Sequence, residues 1–445
     1  MSIHPALILV FTSFVSVNLL NAQQKLNLND VLKMAVNRNS EVIKMSNNIK
    51  VYDADVKNNY GTLLPSLDVD YSWNWKKVRD SGGNKQIDYF GNETILGASE
   101  TDTRQNSLKV GGSITLFDGL SAFAGIRHSK NALESAKLQL EKYKQDIYVQ
   151  AAVLFYTVIS NEKKLDVNSD NIKYNHSLLA EVKERNKLGM VPDVDVYSQE
   201  AQAANADLLF IQAKTEFEKA KIELLNFLAV DVVSEYEFTD DNSYSADTSV
   251  FNSDINLLFD EALNNRTDYK SAQLIVSNSY EKLKIARSGY YPHLTGSYSF
   301  GTSAVRIPDL FGRKTYGVGL SLNIPVFSNW STETEVQSAL VNIDNNLEEL
   351  VAIERQIKSE VKTGLTEITS ARASIEAADK SVHALEQNVK LQKERYELGT
   401  APLTDVLLAN RDYVNASHTF INAELNYMIS YFTFLNYMGK INTGE

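Results

Sequence analysis

Cysteine is absent from the 445-residue chain, which removes disulfides, thiolate nucleophiles, cysteine-held metals and an N-terminal lipid-bearing cysteine. Proline occurs 7 times and glycine 20 times, so secondary structure can run long without interruption. Positive charge is in deficit, with 44 Lys and Arg against 56 Asp and Glu. Phosphate binding needs concentrated basic surface, and a net charge of −12 excludes nucleic acid as the expected partner. Past the N-terminus no window holds the ~20 apolar residues of a membrane helix, so any bilayer crossing has to be made of strands. The histidines (His4, His128, His176, His293, His383 and His418) are scattered, with no metal-ligand spacing. Phosphate-cradling loops, dinucleotide fingerprints and nucleophile elbows are also missing. The expectation is no enzyme, no cofactor and no metal.

What is present is a duplication. From Phe117 onward residues recur at a displacement of 210: Phe117 with Phe327, Lys183-Glu184-Arg185 with Lys393-Glu394-Arg395, and Leu188-Gly189 with Leu398-Gly399. Upstream the displacement is 227, pairing Pro65 with Pro292 and Tyr71-Ser72 with Tyr298-Ser299. One insertion of 17 therefore lies between Tyr71 and Phe117. The unit is far longer than a solenoid repeat, so this is a doubled domain. The expected organisation is a signal peptide at 1–22, a first repeat at 23–230, a connector at 231–255, a second repeat at 256–438 and a short tail at 439–445. The signal expectation rests on an apolar run from Ala6 to Leu20 with no charge before Lys25, and on Ala22 as a cleavage residue.

Each half reads helix, strand, loop, strand, very long helix, tight break, long helix. The first helix is expected to run from a cap at Asn29-Asp30 to about Leu64, ended by Pro65, and its counterpart from Asp254 to Tyr291, ended by Pro292. These prolines are the expected strand–helix corners. Period two then takes over. Leu67, Val69, Tyr71, Trp73 and Trp75 alternate with polar residues, as do Leu108–Leu116, Leu294–Phe300 and Tyr316–Ile324. Such strands suit a transmembrane barrel, with Tyr71, Trp73, Trp75, Tyr298 and Tyr316 as a lipid-facing aromatic girdle. A soluble sandwich would show the same alternation, but four strands cannot bury so much apolar surface alone. Four strands cannot close a barrel either, so several chains must pool them. The segment Val78–Asn106 is expected as a long irregular loop, and Ser303–Lys314 as a short one.

Neither glycine nor proline occurs from Ile126 to Leu188, and the second half repeats this with Gly364 as its one interior glycine before Leu398. A 65-residue helix is about 100 Å long. Leu407, Val414, Ile421, Met428 and Leu435 are spaced by seven, the mark of coiled-coil packing. Gly189 and Gly399 are placed to end the long helices in a left-handed residue. Pro192 and Pro402 stop propagation, and Asp193 and Thr404 are expected to cap the return arms.

With duplicated halves, two strands per half and the tips Arg185-x3-Gly189-x5-Asp195-Val196 and Arg395-Tyr396-x2-Gly399-Thr400-x4-Asp405-Val406, the chain resembles the TolC family of outer-membrane efflux and secretion channels. The resemblance, over about residues 25–440, implies a fold that is mainly α with transmembrane β. Three chains, as a homotrimer, would build a 12-stranded barrel continuous with a helical periplasmic tunnel, with the connector in its equatorial belt. It implies a site in the outer membrane of a Gram-negative bacterium, a periplasmic adaptor (membrane fusion) protein, an inner-membrane pump of RND or ABC type, and contact with outer-membrane lipid. By the same resemblance Asp195 and Tyr396 match a gate-closing hydrogen bond and Asp405 an acidic ring at the constriction. Leu408 stands in place of a second acidic residue and Ala401 in place of a latching arginine, which makes the expected constriction more apolar. Gly189 and Gly399, with Arg185, Pro192, Arg395, Thr400 and Pro402 around them, match the tip turns and adaptor contact. The alternative to drug efflux is the exit duct of a type I protein secretion system. A soluble coiled-coil scaffold or adhesin is the reading from another class.

Overall fold

A computed structural model describes residues 24–83, 85–87, 89–95, 97–240 and 254–442. The expected signal segment, most of the connector and the end of the tail lie outside the described residues. The chain divides into two compact units: one gathers residues up to Ile43 with Tyr143–Ala262 and Glu360 onward, the other Lys44–Lys142 with Leu263–Ser359.

Helical lengths obey the duplication to the residue. Helices α3 (Ser121–Lys187) and α7 (Ser331–Glu397) have 67 residues each, and α4 (Asp193–Phe227) and α8 (Leu403–Tyr437) have 35 each. The same register governs the upstream helices. Where one long helix per half was expected there are two: α1 (Leu28–Arg38) and α2 (Ser40–Gly61), then α5 (Ile255–Asn265) and α6 (Thr267–Ser288). The breaks, Asn39 and Arg266, are equivalent positions. Asn39 turns extended, and its carboxamide oxygen accepts from Glu41 N and Val42 N at 2.9 and 3.2 Å, starting α2 as an N-cap does. Asn27, rather than Asn29-Asp30, caps α1 through a reciprocal box with Asp30. Helices α2 and α6 end at Gly61 and Ser288, several residues before Pro65 and Pro292, because the turns at the corners take up those residues.

In the first unit, β1 (Gln24–Asn27) pairs in parallel with β6 (Tyr236–Thr239), which falls within the expected connector. Phe238 of β6 stacks edge-on with buried Phe155 of α3, their centroids 6.3 Å apart. Phe432 of α8 is fully buried against Tyr148 and Tyr156. The α8 seam is buried at Leu403, Val406, Val414, Ser417 and Ile421, in the three- and four-residue steps a coiled coil requires save for the eight residues between Val406 and Val414. Beside it runs a buried polar ladder. Asn410 donates to Asn171 Oδ1 at 2.9 Å, Gln199 to the Asn175 carbonyl at 2.9 Å, and Asn168 meets His418 Nε2 at 3.3 Å. Polar groups that can be satisfied at only one offset set the register of α3 against α4 and α8.

Burial, reinforced by Lys164, lowers the pKa of His418 below its ordinary 6.5. The unfolded chain therefore binds the proton first, and stability falls as pH drops below 6.5 towards the folded value. Melting of the purified protein should be lower at pH 5.5 than at pH 7.5, and His418→Gln should flatten that difference. An undiminished slope in the variant would remove His418 as its source.

The second unit holds one four-stranded antiparallel sheet. Its strands are β2 (Asp68–Asp80), β5 (Ser99–Phe117), β7 (His293–Ala304) and β8 (Lys314–Asn323), in the order β2-β5-β7-β8. The long loop expected at Val78–Asn106 is mostly ladder. Pairing between β2 and β5 continues to Asp80 and Ser99, and β3 (Lys85–Ile87) pairs with β4 (Glu93–Ile95) beyond it. Ion pairs from Lys77 and Arg79 to Glu100, and the Trp75 indole donating to Asp102 at 2.9 Å, link the extended part across strands. Polar residues on both faces erase the period-two signal there, which is why alternation did not reveal it. The insertion of 17 residues is thus a taller first hairpin.

Candidate functional site: a two-faced sheet and a capped helical tip

Strand register places the large apolar side chains of the sheet on one face, except Val78 in the taller part of the first hairpin, which shares the face of Lys76. One row across all four strands is Val69, Val110, Phe300 and Tyr316; the next polar row is Asp68, Gly111, Ser299 and Gly317. Among the described residues nothing covers the apolar face. Val318 is 90 % exposed, Leu320 74 %, Tyr71 54 % and Trp73 58 %. A sandwich core would have closed over these residues, so the soluble-sandwich reading fails on exposure. Among the described residues no strand pairs with the outer hydrogen-bonding edges of β2 and β8.

Of the expected girdle, Tyr71, Trp73, Trp75 and Tyr316 stand exposed. Tyr298 is exposed as well, at 36 %, but its ring crosses Gly112, its partner in register, and its hydroxyl donates to the Ser66 carbonyl. A Cβ at residue 112 would collide with that carbonyl, which is the reason for glycine there. A second aromatic set lies at the strand–helix corners: Phe117, Tyr290, Tyr291, Phe327 and Trp330, all exposed. Sequence alternation missed it because these residues flank the strands; the equivalence of Phe117 and Phe327 was the available signal. The opposite face carries Asp68, Asp70, Asp80, Lys76 and Lys109 among serines and glycines, with Asp70 opposite Lys109. Three Asp against two Lys leave it a single negative charge of the chain's −12, so the acidic surplus is not concentrated on this face.

The tips are built alike. Gly189 and Gly399 both sit at φ 71°, the left-handed conformation that glycine takes without strain. Met190 N donates to Arg185 O at 2.9 Å and Gly189 N to Asn186 O at 2.8 Å; Thr400 and Gly399 make the same pair of bonds to Arg395 and Tyr396. These are complete Schellman closures. Both glycines, Pro192, Pro402, Thr400 and Arg395 are exposed. The return arms start differently from expectation. Pro192 and Pro402 are themselves the N-cap residues, without side-chain caps. Asp193 instead accepts from Asn186 Nδ2 at 2.9 Å.

Tyr396 is buried at 4 % exposure with Leu178, Val182, Leu403 and Val406. Its hydroxyl has no hydrogen-bond partner, so the expected bond to Asp195 is not made in the chain. The ring is drawn inward by the apolar cluster, and burial raises the phenol pKa. Tyr174 lies beside the same cluster with another unpartnered hydroxyl, its pKa pushed up to about 12 by burial, then by Glu181 and Glu397. Asp195 and Asp405 are half-buried in the first turns of α4 and α8, and Leu408 is 48 % exposed. Ala401 is buried. Arg185, expected at an adaptor surface, is committed within the chain: its guanidinium pairs with Glu181 at 2.8 Å.

Known proteins share this arrangement. The chain is 22 % identical to the outer membrane protein TolC of Escherichia coli over 343 residues, covering 74 % of this chain and 68 % of that one. It is 20 % identical to toxin and drug export protein A of Aggregatibacter actinomycetemcomitans, over 90 % of this chain and 83 % of the relative. Among solved structures, the outer membrane protein VceC of Vibrio cholerae superposes with a TM-score of 0.78 at 15 % identity, over 93 % of this chain and 96 % of that one. The CmeC outer membrane channel of Campylobacter jejuni gives 0.77 at 17 % identity, over 94 % and 87 %. At such identities the superpositions speak for the fold. The family model described as outer membrane efflux protein matches residues 31–230 and 258–440, one stretch per repeat. With its repeats, two-faced sheet and paired helical hairpins, this chain belongs to the outer membrane efflux protein family.

Proposed function

We propose that the chain is the outer-membrane channel subunit of a tripartite efflux system, passing drugs and other small toxic compounds outward without acting on them chemically. The observation that carries this reading is the sheet: apolar and bare on one face, small and polar on the other, and open at both edges. Lipid tolerates no open strand edge, so copies must join β2 to β8 until the sheet closes. Three chains give twelve strands, and each polar face then lines a wet lumen. The homotrimer presents three pairs of helical tips to a periplasmic adaptor, and energy comes from an inner-membrane pump of RND or ABC type.

The name of the toxin and drug export relative keeps protein export as the second reading. A deletion strain separates them. The expected result is hypersensitivity to dyes, detergents and antibiotics, restored by the gene, with the secreted-protein profile unchanged. Loss of one exported polypeptide at unchanged drug tolerance would transfer the assignment to type I secretion. The purified protein should also migrate in detergent at about three times the 49.8 kDa of one chain and conduct in planar bilayers. A monomer with no conductance would overturn the channel itself.

A further inference from the structure

Two contacts at the helical tips mirror each other across the α3–α7 seam. The Arg185 guanidinium of α3 lies over the Tyr396 ring of α7, 5.0 Å from its centroid, and Lys393 Nζ of α7 lies 5.9 Å over the Tyr174 ring of α3. Arg185 is the better held of the two cations. Its side chain is 20 % exposed, it is paired with Glu181 one turn back at 2.8 Å, and its Nη1 donates to the Tyr396 carbonyl at 3.4 Å. That carbonyl lies in the last turn of α7, where a cation also meets the negative end of the helix.

The duplication shows that this is not a generic property of the repeat. The cations occur in both halves, since Lys183 matches Lys393 and Arg185 matches Arg395. The rings do not: Ala384 matches Tyr174, and Asn186 matches Tyr396. The unmatched cations turn elsewhere, Lys183 to Glu200 at 2.7 Å and Arg395 to Gln392 at 3.2 Å.

We propose that these reciprocal cation–π clasps fasten α7 to α3 within each chain, and that Arg185 is the positioning residue that holds the tip shut in place of an Asp195–Tyr396 hydrogen bond. The proposal rests on the channel reading for its consequence, but not for its geometry. In a threefold assembly, clasped seams within chains would alternate with unclasped seams between them, and dilation would begin at the latter. Breaking the clasp frees α7 and α8 to swing with it.

The test uses the full-length protein in planar bilayers, with hydrogen exchange on the same samples. Arg185→Ala should raise open probability about tenfold, the scale of one partly buried cation–π contact, and speed exchange at the amides of Leu398 to Thr400. Arg185→Lys should restore part of both. Tyr396→Phe should match the wild type because the hydroxyl is idle, whereas Tyr396→Ala should open the channel and add nothing to Arg185→Ala. Oligomer melting should stay unchanged in Arg185→Ala, which separates positioning from general stability. Unchanged exchange and open probability in Arg185→Ala, or equal opening by Tyr396→Phe, would refute the clasp. If the wild type forms no channel, the channel reading fails and exchange alone decides the clasp: faster exchange supports it, unchanged exchange rejects it.

Discussion

Arginine in place of Leu320 should keep the protein out of the outer membrane. Leu320 sits on the bare apolar face, 74 % exposed and opposite Gly296 in register. A charged side chain at the lipid midplane costs about 2–4 kcal/mol, and a closed assembly of identical chains incurs that cost once per copy. The adjacent residue is the control. Ser321 points to the other face, across from Thr295, so Ser321→Arg would enter the wet lumen and should assemble. Membrane fractionation and heat-modifiable migration read the difference. Equal assembly of both variants, or equal failure, would mean that the two faces are not lipid and water, and the sheet argument would fall with them.

Phe432→Ala should produce the largest loss of stability in the helical unit. The side chain is 1 % exposed and contacts two tyrosine rings from α3. Truncating a buried phenylalanine removes its transfer free energy and leaves a cavity, together about 3–5 kcal/mol. Thermal unfolding of the detergent-solubilised protein should fall by about 10 °C, and Phe432→Leu should recover more than half. A shift within about 2 °C, the scatter of surface substitutions, would show that the site repacks and is not a keystone of the α3–α8 contact.

The degree to which the chain was readable follows from the range of each signal. The displacement of 210 residues was legible because helices of equal length need no tertiary information, and both long arms match it to the residue. The alternation at Leu67–Trp75 was legible because one face meets a different solvent from the other. Where that contrast ends, as at Lys77, Arg79 and Glu100, the strands go on but the pattern does not. The break at Asn39 was hidden because a single residue serves as the end of one helix and the cap of the next. Side-chain choice at the tip was the least readable of all. Nothing local distinguishes a tyrosine that bonds through its hydroxyl from one held by its ring, and Tyr396 is the second kind. Resemblance pointed to a hydroxyl bond from Tyr396 to Asp195, a bond that the single chain does not make.

The matched pairs of 67- and 35-residue helices also constrain how such a chain can change. Adding a heptad to one arm of a hairpin without its mate would lift one Schellman turn off the level of the other and break the ladder at Asn171 and Asn410. Growth or shortening of the long helices therefore has to arrive in both arms of both repeats at once. Descendants with longer or shorter arms should differ by whole sets of compensated insertions, so arm length is inherited in quantised steps.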